Sequence, residues 1–483
     1  MNLQQETIRG ILWSGGTSAV TTALNFVTVA VLAHLLSPGD FGLMGMVLAV
    51  IGFVTLVGDL GLGSAVIQTK DLTPSHCSTF FYLNVLLGTL LSVIVYVLGP
   101  PLALFFGRSE LTPLVRSISF ILVFLTCGST FRTLLQRDMK FKNLAVVDMI
   151  GTLAYGIVSI VLGFKSFGVY SLLGGFAARQ FIELAVLWTL VRYKPVPVFR
   201  PKEILHLVRF GTYVLGERLL NYGNRNLDNI LIGKILGADA LGYYSLAYQL
   251  MFVPTSKISQ VIGKVTYPVF SKIQDDDERM RRGYLAMIRY VSLIAFPLMM
   301  TVFVVAPEFI PSIYGIAWKP SILILQIFCL VGIVESVGST VGGVLYAKGR
   351  ADIAFKYNII NLLVVCGAII AGLSYGIVGV AIALAVVSVF LGYLWHGKTN
   401  ALIHLSWKSF FQSLEFSLLL SGVLLITTFI FRELLGLTIL GRDGLGILLI
   451  VSAFALLVYF ATIAVFKKSI LSEIKHLLVT AMQ

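Results

Sequence analysis

Runs of about twenty apolar residues follow one another along almost the whole chain, each long enough to cross the hydrocarbon core of a bilayer as a helix. Within hydrocarbon every backbone N–H and C=O has to be satisfied inside the protein, and continuous runs of this length do so as helices. Hydropathy predicts roughly fourteen segments. They lie near 10–35, 42–66, 78–99, 113–133, 144–164, 168–191, 207–236, 241–269, 285–305, 321–346, 354–373, 376–396, 411–431 and 444–466. Of 483 residues, 57% are hydrophobic and 12% are charged, and that charged share is about half of what a soluble domain carries. This balance excludes a soluble enzyme, a disordered regulator and a fibrous chain. The predicted fold is an all-α polytopic membrane protein.

The formal net charge of +13 would point to nucleic acid in a soluble protein, but here the placement of the charges matters more than their sum. Lys and Arg crowd one alternating set of connections, among them Arg9, Lys70, Arg132, Arg137, Lys140, Arg192, Lys194, Arg200, Lys202, Arg281, Arg282, Lys348, Arg350, Lys398, Lys467 and Lys468. The opposite set holds Arg108, Lys165, Lys234, Lys319, Arg432 and Arg442. The positive-inside rule assigns the first set and both termini to the cytoplasm. No small-residue cleavage site follows the first apolar run, so it reads as an uncleaved helix. Cys77, Cys127, Cys329 and Cys366 are scattered, and neither they nor the six histidines have metal spacing. GYLWHGKT (392–399) matches the P-loop pattern, but it ends an apolar helix and carries Tyr393, Leu394 and Trp395 where small residues must cradle phosphate. No metal, cofactor or nucleic acid is expected.

The chain also echoes itself. Shifted by 200 residues, Arg9 falls on Arg209, Gly16 on Gly216, and LLSPGDFGLMG from Leu35 on ILGADALGYYS from Ile235. A second echo sets SFGV from Ser166 on SYGI from Ser374. These matches predict two pseudo-symmetric six-helix bundles, 1–192 and 205–398. A cytoplasmic linker (193–204) joins them, and two extra helices with a tail follow (399–483). A parallel repeat is a transporter architecture, with the substrate expected between the halves near mid-bilayer.

Charge inside the spans is the strongest functional signal. The seventh segment places Glu217, Arg218, Asn221, Tyr222, Asn224, Arg225, Asp228 and Asn229 within an arc of about 160° at helical periodicity, with leucines opposite. One Arg at the bilayer centre costs about 2.5–3.5 kcal/mol on the mildest scale, so this face must line water or protein. Neighbour spacing also admits neutralisation within the helix, Glu217 with Asn221 and Arg225 with Asp228. Lys257, Gln260 and Lys264 share one side of the eighth segment. In the sixth, Arg179 and Glu183 stand at i, i+4, either as a buried ion pair or as part of a wider set. Asp59 and Glu335 are lone carboxylates in apolar surroundings. The substrate-binding candidates are therefore Arg179, Arg218, Arg225, Lys257, Lys264, Asn221 and Tyr222. Asp59, Asp228 and Glu335 are the candidates for ion coupling. A cationic cavity implies an anionic substrate, and the guanidinium fork suits phosphate.

Several long stretches carry a family likeness: RFGTYVLGERLLNYGNRNLDNILIGKILGADALGYYSLAYQL from Arg209, TYPVFSKIQDD from Thr266, IVESVGSTVGGVLYAKGRADIAFKYN from Ile333, and GLGSAVIQ from Gly61. The chain resembles the polysaccharide transporter family of the multidrug/oligosaccharidyl-lipid/polysaccharide exporter superfamily, in particular flippases of the colanic-acid exporter type. The resemblance runs over nearly the whole chain. It implies two six-helix bundles around a central cavity plus helices thirteen and fourteen. It also implies flipping of undecaprenyl-diphosphate-linked repeat units across the bacterial inner membrane by alternating access, with proton or sodium antiport. The implied partners are the lipid-linked oligosaccharide, membrane lipid, and polysaccharide polymerase and export machinery. Three rivals remain open from the residues: a multidrug or peptidoglycan-precursor exporter, a membrane polymerase or ligase, and a scaffold subunit of an envelope synthesis complex.

Overall fold

The computed structural model describes residues 3–59, 63, 66, 67, 73–191, 193–437 and 444–466; the side chains of Asp59, Glu217 and Lys264 lie outside the described set. The described residues form fifteen α-helices and a short 3₁₀ turn, Ile316–Trp318. The first seven helices are α1 (Leu3–Leu35), α2 (Pro38–Asp59), α3 (Pro74–Phe106), α4 (Leu111–Arg137), α5 (Phe141–Phe164), α6 (Val169–Leu190) and α7 (Pro201–Ile235). Then come α8 (Ala238–Lys272), α9 (Asp277–Tyr314), α10 (Ser321–Gly338), α11 (Val341–Ala347), α12 (Ala351–Leu373), α13 (Gly376–Leu402), α14 (Trp407–Leu437) and α15 (Gly444–Phe466). Because α10 and α11 continue one apolar run, Ser321–Ala347, the fourteen expected segments each find a helix.

Among the described residues, 11 helices are long and apolar enough to cross a membrane. The three long helices outside that set are α6, α7 and α8. These are the ones in which the sequence places Arg179 with Glu183, the polar face from Arg218 to Asn229, and Lys257. A polar face lowers the hydropathy of any window that contains it, which sets these three helices apart from the other spans. All four cysteines are free thiols, buried or half-buried.

The chain divides into two compact units, Met1–Gly242 and Tyr243–Gln483. In the first, α3 packs on α4, α5 packs on α1 and α6, and α2 touches α3, α4, α6 and α7. In the second, α9 is the hub, against α10, α14 and α15, while α13 packs on α10 and α12. Its core runs from Phe270, Met280, Tyr284 and Ile288 to Val344, Ile403 and Phe410. Local chemistry sets the helix ends. Thr73 and His76 form a reciprocal capping box at α3, with Pro74 in the first turn and Gly107 left-handed at the far end. Asp276 accepts from Arg279 N–H at 3.0 Å to start α9.

Both echoes have structural counterparts. In the first, the turns 37–42 and 237–242 meet within the first unit. A Cβ on Gly42 would overlap the carbonyl of Ala238, and a Cβ on Gly242 would overlap the carbonyl of Pro38. The contact is reciprocal, glycine to backbone in both directions, and the two glycines stand 200 positions apart in sequence. Asp40 braces its turn by accepting from Ser37 N–H at 2.9 Å and from Ser37 Oγ–H at 2.7 Å. In the second echo, Gly168 and Gly376 each open a helix with positive φ, 55° and 71°, a conformation that disfavours any other residue. Replacing Gly42 by Leu should lower stability by about 1–3 kcal/mol, since backbone has no rotamer with which to yield. Thermal unfolding of the purified protein checks this, and an unchanged midpoint would show that the two turns do not bear on each other.

Candidate functional site

The first unit holds a four-residue charge cluster assembled from three helices. Glu183 on α6 is buried, and its two oxygens are taken by different arginines. Oε1 accepts from Arg179 Nε–H at 2.8 Å and Oε2 accepts from Arg132 Nη2–H at 2.8 Å. The same Nη2 of Arg132 lies 2.7 Å from Asp148 Oδ1 on α5. Two guanidinium groups and two carboxylates thus form a closed, formally neutral network joining α4, α5 and α6. The arginine side chains are 30% and 31% exposed, so the network is shielded without being dry. Gly151 makes room for it, because a Cβ there would press on Glu183 Cγ and Oε1 at 2.5 Å. A cavity of about 440 Å³ borders the cluster, lined by Thr17, Ser18 and Thr21 of α1, Arg132 and Gln136 of α4, and Asp148 of α5. The Thr21 hydroxyl donates to the Thr17 carbonyl at 2.9 Å.

Helix α7 carries the second constellation. Its inner side is fixed to the rest of the unit. Tyr222 O–H donates to the Ala49 carbonyl of α2 at 2.5 Å, its ring packs 6.4 Å from that of Phe53, and Gly52 leaves space for it. At the helix end Lys234 Nζ donates to the Phe105 carbonyl at 2.5 Å and sits 4.0 Å from the Phe105 ring centroid. Asp228 is buried and accepts from Asn229 N–H at 2.8 Å. Asn221 and Arg225, one turn apart, are exposed, and Arg218 is half-buried. An Arg and an Asn turned to acyl chains would strongly oppose insertion, so this surface of α7 lines water or protein.

The structure therefore brings Arg218, Asn221, Tyr222, Arg225 and Asp228 onto one helix and sets Arg179 in an ion-pair network. Lys257 on α8 is half-buried and Glu335 on α10 is exposed, both in the second unit. Asp59 and Lys264 fall outside the described side chains. Arg179 with Glu183 is the ion pair that the i, i+4 spacing admitted. Sequence reasoning missed Arg132 and Asp148: Arg132 was grouped with the topology-setting cations of a connection, yet it lies inside α4. The available signal was a second embedded carboxylate, Asp148, seven residues into α5 without a partner on its own helix.

A helical chain of long apolar spans, with ionised side chains held inside, is a multi-pass membrane protein of the transporter type. Its fold is shared with a solved lipid II flippase, MurJ, in an inward closed conformation (TM-score 0.76 over 95% of this chain and 100% of that one, at 17% identity). Residues 31–323 match the model of a family described as polysaccharide biosynthesis protein. The lipopolysaccharide biosynthesis protein WzxC of Escherichia coli K12 is 30% identical over 80% of both chains. The succinoglycan biosynthesis transport protein ExoT of Rhizobium meliloti 1021 is 26% identical over 80% of this chain and 79% of its own. The chain belongs to the polysaccharide biosynthesis protein family.

Glu183 is the keystone of the network, since each arginine depends on one of its oxygens. Glu183→Ala should cost about 3–5 kcal/mol, the penalty for stranding a shielded charge, whereas Glu183→Gln should cost less because it still accepts a hydrogen bond. Thermal unfolding in one detergent orders the three proteins; an alanine variant as stable as the parent would remove the keystone role.

Proposed function

We propose that this protein is a flippase moving polyprenyl-diphosphate-linked oligosaccharide repeat units from the cytoplasmic to the outer leaflet of a bacterial inner membrane. The glycolipids would feed exopolysaccharide, capsule or lipopolysaccharide assembly, with both termini of the chain in the cytoplasm. The observation that carries this reading is the exposed Asn221 and Arg225 surface of α7, with Arg218 beside it, on a helix that otherwise belongs to a membrane bundle. The relatives support it, because their printed names tie them to lipopolysaccharide biosynthesis and succinoglycan transport.

In this mechanism Arg218 and Arg225, with Lys257 and Lys264, meet the diphosphate. Asn221 and its neighbours hydrogen-bond the sugars, and the polyprenyl tail stays in lipid. Guanidinium groups replace the water that the phosphates leave behind, which lowers the cost of carrying them through the bilayer. Arg179 acts at one remove: its charge is balanced by Glu183, so it sets the position of Arg132 and the wall of the adjoining hollow. Tyr222 contributes its ring and its anchoring of α7, since its proton is already given to Ala49. Alternating access coupled to proton or sodium antiport completes the cycle, with Asp59, Asp228 and Glu335 as the candidate coupling carboxylates. The two six-helix halves, 1–192 and 205–398, are the proposed moving repeats. A polysaccharide polymerase and export machinery on the far side are the proposed consumers of the product.

Arg218→Ala combined with Arg225→Ala should abolish translocation of a diphosphate-linked glycan in proteoliposomes while membrane insertion and yield stay at parental levels. Export at the parental rate in that double variant would sink the proposal. Asp228→Asn should separate coupling from binding: glycolipid is still retained, but transport no longer responds to an imposed ion gradient. Unchanged gradient dependence would remove Asp228 from the coupling set.

A further inference from the structure

The end of the second unit at which α9 and α14 finish and α15 begins encloses a cavity of about 900 Å³. Its polar lining includes Glu308 and Ser312 of α9, Lys319 from the following turn, and Arg432 and Glu433 of α14. It is separate from the Arg132–Glu183 network and α7, which belong to the first unit. The charge distribution in the sequence places this end on the side sparse in Lys and Arg, away from the cytoplasm.

Two side chains build the floor. Arg432 Nε–H donates to Glu308 Oε1 at 2.8 Å, with the two side chains only 20% and 17% exposed, and this bond clasps α14 to α9. Glu433 stands beside it, 3.7 Å from Arg432 Nη1 and 59% exposed. Lys319 is exposed and makes no ion pair among the described residues. A Cβ on Gly444 would collide with Ser312 Oγ, so α15 starts against the cavity wall because its first residue lacks a side chain. Among the described residues, the lining carries two formal positive and two formal negative charges. A polyanion entering it meets Glu308 and Glu433, and a simple cation meets Lys319 and Arg432. A zwitterion finds a counter-charge for each end.

Next to the polar hollow the wall turns apolar. Leu445 lines the cavity and is 52% exposed, and Leu434, Leu449 and Ile430 on α14 and α15 are 57%, 63% and 52% exposed. Polar pocket and open apolar flank together match an amphiphile, with its head in the cavity and its acyl chains along the two last helices.

We propose that this cavity is a headgroup site for a zwitterionic phospholipid of the outer leaflet, with phosphate toward Lys319 and Arg432 and a primary ammonium toward Glu308 and Glu433. Phosphatidylethanolamine fits better than phosphatidylcholine, because its ammonium donates hydrogen bonds that a quaternary nitrogen lacks. Occupancy would brace α14 and α15 against α9 from the lipid side. The site would hold a resident lipid whichever glycolipid is carried.

The test uses the full-length protein in detergent, with native mass spectrometry and thermal unfolding after addition of phosphatidylethanolamine, phosphatidylcholine or phosphatidylglycerol, and with inorganic pyrophosphate as the bare polyanion. Phosphatidylethanolamine should be retained about tenfold better than the other lipids, and it should raise the unfolding midpoint where pyrophosphate does not. Lys319→Ala with Glu433→Gln leaves the Arg432–Glu308 clasp intact and should reduce that retention about tenfold without changing the lipid-free midpoint. Lys319→Ala alone, at an exposed position, serves if the double variant folds poorly. Equal retention of the three lipids, preference for phosphatidylglycerol or pyrophosphate, or undiminished phosphatidylethanolamine retention in the variants would each overturn the proposal.

Discussion

Everything in this molecule answers to the cost of placing charge in hydrocarbon. An isolated ion there is so unfavourable that it is paired, hydrated or absent. Arg132, Arg179, Glu183 and Asp148 are paired across three helices at 2.7–2.8 Å, and this pairing fixes the helices to one another. Asn221 and Arg225 on α7 are exposed on a helix whose inner side is tied down by Tyr222 and Lys234.

The number and order of helices were legible because twenty-residue apolar runs admit one structure in a bilayer. The polar character of α7 was legible for a related reason, as eight polar residues within one arc stand out in a membrane span. Arg132 was not. Its position near the end of an apolar run is where topology-setting cations stand, and only the fold reveals that it reaches inward to Glu183, 51 residues away. Hydropathy locates a helix end to within a few residues, and for an arginine those few residues separate a cytoplasmic anchor from a member of an internal network. Asp148 went unremarked on the same grounds, because its partner lies on another helix.

Tyr222 shows the opposite limit. Helical periodicity places it among the polar residues of α7, yet its hydroxyl proton is taken by the Ala49 carbonyl and its ring leans on Phe53. Periodicity tells which side of a helix a residue occupies, not what waits for it there. Within one arc of the same helix, Tyr222 holds α7 to α2, while Asn221, adjacent in sequence, is exposed.

The turns that carry Gly42 and Gly242 meet glycine against backbone: a Cβ on Gly42 would overlap the carbonyl of Ala238, and one on Gly242 that of Pro38, so a side chain at either position would have to displace main chain. Glycine solves that problem, because each turn offers a bare Cα to the other's carbonyl. A contact made of backbone against backbone is also indifferent to side-chain chemistry. The polar residues of α7 and the Arg179–Glu183 pair of α6 take no part in that contact.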